Sequence, residues 1–189
     1  RTLLTNGRVF APEGIRSDVA VLLDGARIEA LVAHDDPRGR NARTEDLDGL
    51  LLVPGFIDRQ VNGGGGALFN DGPDSASIRA IGNAHRRFGT TGFLPTLISD
   101  DLDAIASAVA AVQSAIESGT PGVLGIHIEG PFLNGARRGV HDAKHLRKLN
   151  ADVIPLLSSL RNGRTIVTLA PEMTSPEVIA ELTRRGVIV

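Results

Sequence analysis

Cysteine is missing from this sequence of 189 residues. Its absence excludes disulfides and any thiolate metal site, so a metal held by this chain must be bound through His, Asp or Glu. A strong excess of one charge is missing too. The 20 Lys and Arg stand against 22 Asp and Glu, a net charge of −2 that offers no global field for nucleic acid. No apolar run reaches the roughly 18 residues of a membrane span, so no transmembrane helix is expected. The opening segment, Arg1 to Phe10, is too polar for a signal peptide and lacks an apolar h-region. A cytoplasmic location fits these absences. Methionine is not the first residue, so the chain is expected to be trimmed at its front.

What remains is ordinary for a globular protein: 42% hydrophobic and 22% charged residues. The length allows one domain with a substantial core, or one domain and an appendage. The first fifty residues read as short strands and turns. Thr2–Thr5 is followed by the turn signal Asn6-Gly7, and Arg8–Phe10 resumes extended structure. Asp18–Leu23 turns at Asp24-Gly25 into Arg27–Val32. This pattern predicts a small antiparallel sheet with one wet face, joined onward by a polar linker from His34 to Asp48.

From Leu50 strands alternate with helices. Leu50–Asp58 is a mostly apolar strand. Ser75–Phe88 has helical spacing at Ile78, Ile81 and Phe88 and stops at Gly89. Thr91–Ile98 is a strand, and Asp101–Glu117 a helix with the stripe Ile105, Val109, Val112, Ile116. Val123–Glu129 is the next strand, followed by a loop of about fifteen residues, long enough to be functional. A helix over Val153–Leu160 is expected with Asp152 as its N-cap. Strand Thr165–Ala170 follows, then a helix opened by Ser175-Pro176-Glu177 and ended by Gly186. Val187–Val189 begins a fifth strand. Such alternation implies a parallel sheet, either a doubly wound open sheet or a (β/α)8 barrel. Polar residues at strand ends favour the barrel, whose sites lie at the C-terminal rim. Only about half of a barrel of roughly 250 residues is present. Either the chain is incomplete or half barrels associate; the former is expected.

The stretch Gly125-Ile126-His127-Ile128-Glu129-Gly130-Pro131 draws attention first. Alternation puts His127 and Glu129 on one face and Ile126 and Ile128 on the other. A buried carboxylate needs a partner, either a metal ion at Glu129 or a hydrogen-bonded core pair. Asp58, Gln60 and Asn62 share a face at the end of an earlier strand, where they serve chemistry or simply satisfy loop backbone. Arg59, on the opposite side, is expected to snorkel to the rim or pair with an acid. The glycines from Gly63 to Gly66 permit close backbone approach or positive φ but match no nucleotide fingerprint. The loop after Glu129 carries Asn134, Arg137, Arg138, His141, Lys144, His145, Arg147 and Lys148. That suits an anionic substrate, although a solvated loop accounts for most of them. His141 differs because Gly139-Val140-His141 can fold over the rim. His34 and His85 read as structural or surface residues.

Val53-Pro54-Gly55-Phe56-Ile57-Asp58 resembles the first barrel strand of the amidohydrolase superfamily. Gly125–Asn134 with Gly139-Val140-His141, and Val167-Thr168-Leu169-Ala170-Pro171-Glu172-Met173, resemble the N-acetylglucosamine-6-phosphate deacetylase family. The resemblance implies an α/β fold: a (β/α)8 barrel, of which residues 51–189 form about the first half, and a small β-sandwich, of which residues 1–50 form the N-terminal part. It implies a hydrolase that removes the acetyl group of N-acetylglucosamine 6-phosphate in amino-sugar catabolism. One divalent metal ion per subunit, zinc by the family's habit, is implied at Glu129, with two histidine ligands and the general-base aspartate beyond Val189. His141 is implied to contact the substrate carbonyl. Where many superfamily members have His-x-His, this chain has Gln60 and Asn62, which implies the one-metal branch with these two amides orienting water or substrate. A homodimer and phosphate-holding basic groups, partly from the partner, are further implications. N-acetylgalactosamine-6-phosphate deacetylase, another amidohydrolase, and an inactive fragment are the alternatives.

Overall fold

Short alternating strands separated by turn residues build the first part of the chain. The computed structural model describes residues 1–189, which divide into two units, Arg1–Pro54 and Gly55–Val189. In the first unit β1 (Thr2–Thr5), β2 (Arg8–Ala11), β3 (Gly14–Arg16), β4 (Ala20–Asp24), β5 (Arg27–Val32), β6 (Arg43–Asp46) and β7 (Leu51–Leu52) form two small sheets, ordered β5-β4-β1-β6 and β3-β2-β7. Asn6 takes the left-handed conformation (φ 55°) that its turn requires. Two expectations are corrected. The sheets are mixed, because β6 pairs parallel to β1 and β7 parallel to β2. Central strand β4 is not wet on one face either: Ala20 and Leu22 join one apolar cluster with Leu3 and Val32, while Val21 joins another with Val9 and Val19. Strand β6, inside the expected polar linker, is exposed along its length. Its ladder to β1 needs only main-chain groups, so no apolar pattern announces it.

The second unit contains β8 (Phe56–Val61), the hairpin β9 (Gly63–Gly64) and β10 (Ala67–Leu68), α1 (Ser75–Arg86), β11 (Thr90–Ile98), α2 (Leu102–Glu117), β12 (Gly125–Glu129), α3 (Ile154–Leu157), β13 (Arg164–Thr168) and α4 (Pro176–Arg184). Strands β8, β11, β12 and β13 form a parallel sheet in the order of the chain, and Ile188 bridges in parallel to Ile166 beyond it. The expected single strand Leu50–Asp58 is broken into β7 and β8. Pro54 has no N–H to give a ladder and restricts Val53 before it. Phe56 and Ile57, at the start of β8, are exposed.

Helix α1 opens with a reciprocal capping box: Asp74 accepts from the Ser77 amide at 2.7 Å, and the Asp74 amide donates to Ser77 Oγ at 3.2 Å. Its Ile78 and Ile81 are fully buried, each burial contributing roughly 1.5–3 kcal/mol, and Gly89 (φ 91°) follows the turn after its end. Phe88 does not join the stripe and is 79% exposed. Helix α2 buries Ile105, Val109 and Val112 as the spacing predicts. The expected helix over 153–160 shrinks to α3, preceded by a 3-10 turn over Ala151–Val153, and Asp152 does not cap it. The hydroxyl of Ser158 donates back to the Ile154 carbonyl (2.8 Å) and that of Ser159 to the Leu156 carbonyl (2.7 Å), a competition that favours termination. Ser175 occupies the N-cap position of α4 without a side-chain capping bond.

Candidate active site

Because the four strands of the second unit run in parallel, their C-terminal ends share one edge, the place where α/β sheets bind ligands. There Gln60, Asn62, Asn70, Glu129 and His141 line a cleft of about 330 Å³, with exposed Leu68 and Val140 among its apolar walls. Gln60, Asn62, Glu129 and His141, singled out in the sequence on separate grounds, are thus brought together. A larger hollow of about 510 Å³ lies in the first unit among Thr5, Asn6, Arg8 and His34. Its lining holds no acid, and His34 is tied to Thr5 Oγ1 and to the Ser17 carbonyl, both at 3.2 Å.

Glu129 ends β12 with its side chain 22% exposed. Gln60 Nε2 donates to its Oε2 at 3.0 Å, while Oε1 lies 3.7 Å from His141 Nε2, beyond hydrogen-bond range. Glu129 is the one carboxylate lining the cleft. That donor set fits a single ligand to a divalent cation, with the neutral amides of Gln60 and Asn62 as its neighbours.

His127 is not the partner of Glu129. Its Nδ1 lies 3.2 Å from Thr96 Oγ1 and its Nε2 2.9 Å from Thr168 Oγ1, so both ring nitrogens are satisfied within the core. Burial pushes its pKa below the usual 6.5, with Arg59 adding in the same direction and Glu129 opposing. Arg59 itself is exposed and forms no ion pair, so of the two alternatives expected for it pairing with an acid is not realised.

His141 folds inward from the loop as expected and is 6% exposed. Ser99, just past the end of β11, meets its Nδ1 twice, through Oγ at 2.7 Å and through the backbone amide at 3.3 Å. The loop is fastened on both sides of this contact. Arg138 Nη1 donates to the His141 carbonyl at 2.6 Å. Further on, His145 Nδ1 and Arg147 Nη2 reach Asp101 Oδ1 at 3.2 and 3.3 Å. Asp101, the residue before α2, therefore serves the loop rather than capping the helix. His145 is correspondingly no solvated loop residue. Asp100, Asp101 and His145 do offer metal-type ligand atoms within 4.8 Å of one another, but the Arg147 guanidinium already supplies the positive charge beside Asp101.

The glycine run belongs to the hairpin that carries Leu68, a residue of the cleft wall. Gly65 (φ 60°) and Gly66 (φ 84°) make the β9–β10 turn. A Cβ on Gly65 would sit 2.9 Å from the Ala80 carbonyl of α1, so the run permits the close approach foreseen for it. His85 Nε2 lies 3.0 Å from the Gly63 carbonyl, a structural role. Asn70 is engaged within the protein: it accepts from the Ile98 amide at 3.0 Å and donates to the Ile98 carbonyl at 3.2 Å and to Asp100 Oδ2 at 3.3 Å. The Asn62 side chain makes no hydrogen bond within the protein and is the free amide of the cleft. Ser99 and Asn70 were not foreseen, because an isolated serine or asparagine beside a strand end carries no spacing signal.

No family model matches the chain. Among curated proteins it is 46% identical to an N-acetylgalactosamine-6-phosphate deacetylase of Shewanella sp. (strain ANA-3) over 138 residues, which is 73% of this chain and 35% of that protein. It is 31% identical to an N-acetylglucosamine-6-phosphate deacetylase of Haemophilus influenzae over 186 residues, 98% of this chain and 49% of the other. Among solved structures, N-acetylglucosamine-6-phosphate deacetylase from Pasteurella multocida superposes with a TM-score of 0.91 at 28% identity, covering all of this chain and 49% of that one. The chain thus resembles the N-acetylglucosamine-6-phosphate deacetylases along its full extent, and it spans between 35% and 49% of the length of these relatives.

Proposed function

We propose that this chain carries the first half of a (β/α)8 barrel, residues 51–189, together with part of a small β-sandwich, residues 1–50, of a metal-dependent sugar-phosphate deacetylase. The reaction is hydrolysis of the acetamide of N-acetylglucosamine 6-phosphate to glucosamine 6-phosphate and acetate, in amino-sugar catabolism. The observation that carries this reading is the convergence of Gln60, Asn62, Glu129 and His141 on one cleft at the rim of the parallel sheet.

Glu129 would hold one divalent ion, zinc by analogy with the family, and two histidines from later strands of the same barrel would complete the site. Such an ion supplies Lewis acidity and lowers the pKa of water. The chain's own residues set the stage for it. Gln60 fixes the Glu129 carboxylate through the 3.0 Å bond, leaving Oε1 free of protein hydrogen bonds. His141 Nε2, 3.7 Å from that oxygen, lies where it can donate to the carbonyl oxygen of an acetamide placed against Glu129. Asn62 offers its unengaged amide to the sugar or to water. The general base, an aspartate, is expected outside these residues. A homodimer whose partner helps hold the phosphate, and a cytoplasmic location, belong to the same reading.

A second reading, specificity for the galactosamine epimer, is favoured by the Shewanella relative. Deacetylation of both sugar phosphates by the full-length protein, assayed side by side, tests both. A preference of tenfold or more for one decides between them, and no acetate release from either sinks the two together.

A further inference from the structure

We propose that Ser99 is the positioning residue of this site: it holds His141 in the tautomer that points an N–H, rather than a lone pair, into the cleft. The catalytic consequence, though not the tautomer, rests on the deacetylase reading given above.

A backbone amide can only donate, and that of Ser99 meets His141 Nδ1 at 3.3 Å. At that length the amide bond is weak, so by itself it favours a lone pair on Nδ1 without fixing it. The Ser99 hydroxyl, 2.7 Å from the same nitrogen, has no other partner and donates to it as well. In a neutral imidazole the proton then resides on Nε2. This nitrogen faces Glu129 Oε1 at 3.7 Å, too far for a hydrogen bond, so its N–H is not consumed by the protein. Two consequences follow. His141 lacks the lone pair on Nε2 that a metal ligand or general base needs. It does present a fixed donor to a substrate oxygen seated beside Glu129.

The surroundings show that this contact is built in. Ser99 and His141 are each 6% exposed, so water does not compete for the bond. Gly130, directly after Glu129, has φ 82°, and a Cβ there would collide with Ser99 Oγ. The glycine thereby leaves the hydroxyl its place between β11 and the loop. His141 is drawn toward the same spot from outside by the Arg138 bond to its carbonyl. Any residue but proline at position 99 keeps the amide, and the hydroxyl adds the shorter second donor.

The test uses the full-length protein with Ser99→Ala and Ser99→Thr. Ring 15N resonances of His141, assigned by their loss in His141→Asn, report the tautomer directly. In the parent, Nδ1 and Nε2 should be widely separated, as a fixed Nε2–H form requires. In Ser99→Ala they should move toward each other as the second tautomer becomes populated, with kcat down about tenfold or more, KM within about twofold and thermal stability nearly unchanged. Ser99→Thr should restore the nitrogen pattern and most of the turnover. Unchanged His141 nitrogen signals in Ser99→Ala would overturn the proposal, whatever happens to activity. Altered signals with full turnover would uphold Ser99 as the residue that sets the ring and count against the catalytic role of His141 instead.

Discussion

Gln60 and Glu129, separated by 69 residues in the chain, are joined at 3.0 Å by a hydrogen bond from amide nitrogen to carboxylate oxygen. The bond crosses from β8 to β12 over the intervening β11, so it fixes the acid from the far side of the cleft.

Metal content is expected to follow these two residues. The full-length protein should hold about one divalent ion per subunit on the one-site reading drawn from Gln60 and Asn62, whose amides are poor metal ligands. Glu129→Ala should abolish binding. Gln60→Ala should weaken it about 10- to 100-fold, as loss of an orienting partner does elsewhere. Elemental analysis after dialysis against a graded chelator checks all three. Unchanged content in Glu129→Ala, or two tight ions in the parent, would contradict the assignment.

Loss of His141 should separate binding from turnover. His141→Asn is expected to retain the metal while kcat falls about 10²- to 10³-fold, the usual cost of removing one oxyanion donor. Steady-state kinetics beside the same metal analysis would show it. A silent variant would return His141 to the loop scaffold.

Gly82, inside α1, inverts a familiar preference. Alanine in a helix interior usually gains about 1 kcal/mol over glycine. Here a Cβ would lie 2.8 Å from the buried Phe93 ring, and overpacking costs about 1–3 kcal/mol. Gly82→Ala should therefore destabilise by about 1–2 kcal/mol in urea unfolding. A stabilised variant would mean that the ring can give way.

Stability against pH should carry the signature of Asp74. The Ser77 amide, and then the Ser77 hydroxyl contact, hold its carboxyl below 3.8. A carboxylate lowered in the folded state stabilises above the unfolded value and loses that contribution as pH falls through its folded value. Asp74→Ala should lower Tm at pH 7, and the gap to the parent should close as the pH drops below 3.8. A constant gap across that range would show that the charged cap is not its source.

Much of the second unit could be read in advance because its apolar residues are periodic. Ile78 and Ile81, and the stripe Ile105, Val109, Val112, declare their helices, and the run Gly125–Glu129 declares its strand. Legibility fails where main-chain bonds decide. Strand β6 pairs through its backbone alone, and Val53-Pro54-Gly55 breaks a run whose hydrophobicity looks continuous. Phe88 fits the helical spacing but lies just past the end of α1, where the chain has already turned. In the cleft, Glu129 and His141 stand out by residue type and by resemblance to a known motif. Ser99 is invisible because its role exists only once a loop forty-two residues later has folded onto it.

His127 contributes nothing to the cleft directly, yet it ties three neighbouring strands through Thr96 on one side and Thr168 on the other. A slip of one residue in any of them would turn its side chains to the wrong face. The imidazole therefore acts as a dowel, setting how far β12 projects beside its neighbours. Glu129, two positions further on, inherits that height. Damage to either threonine would then be felt not as a weaker core alone but as an acid standing at the wrong level.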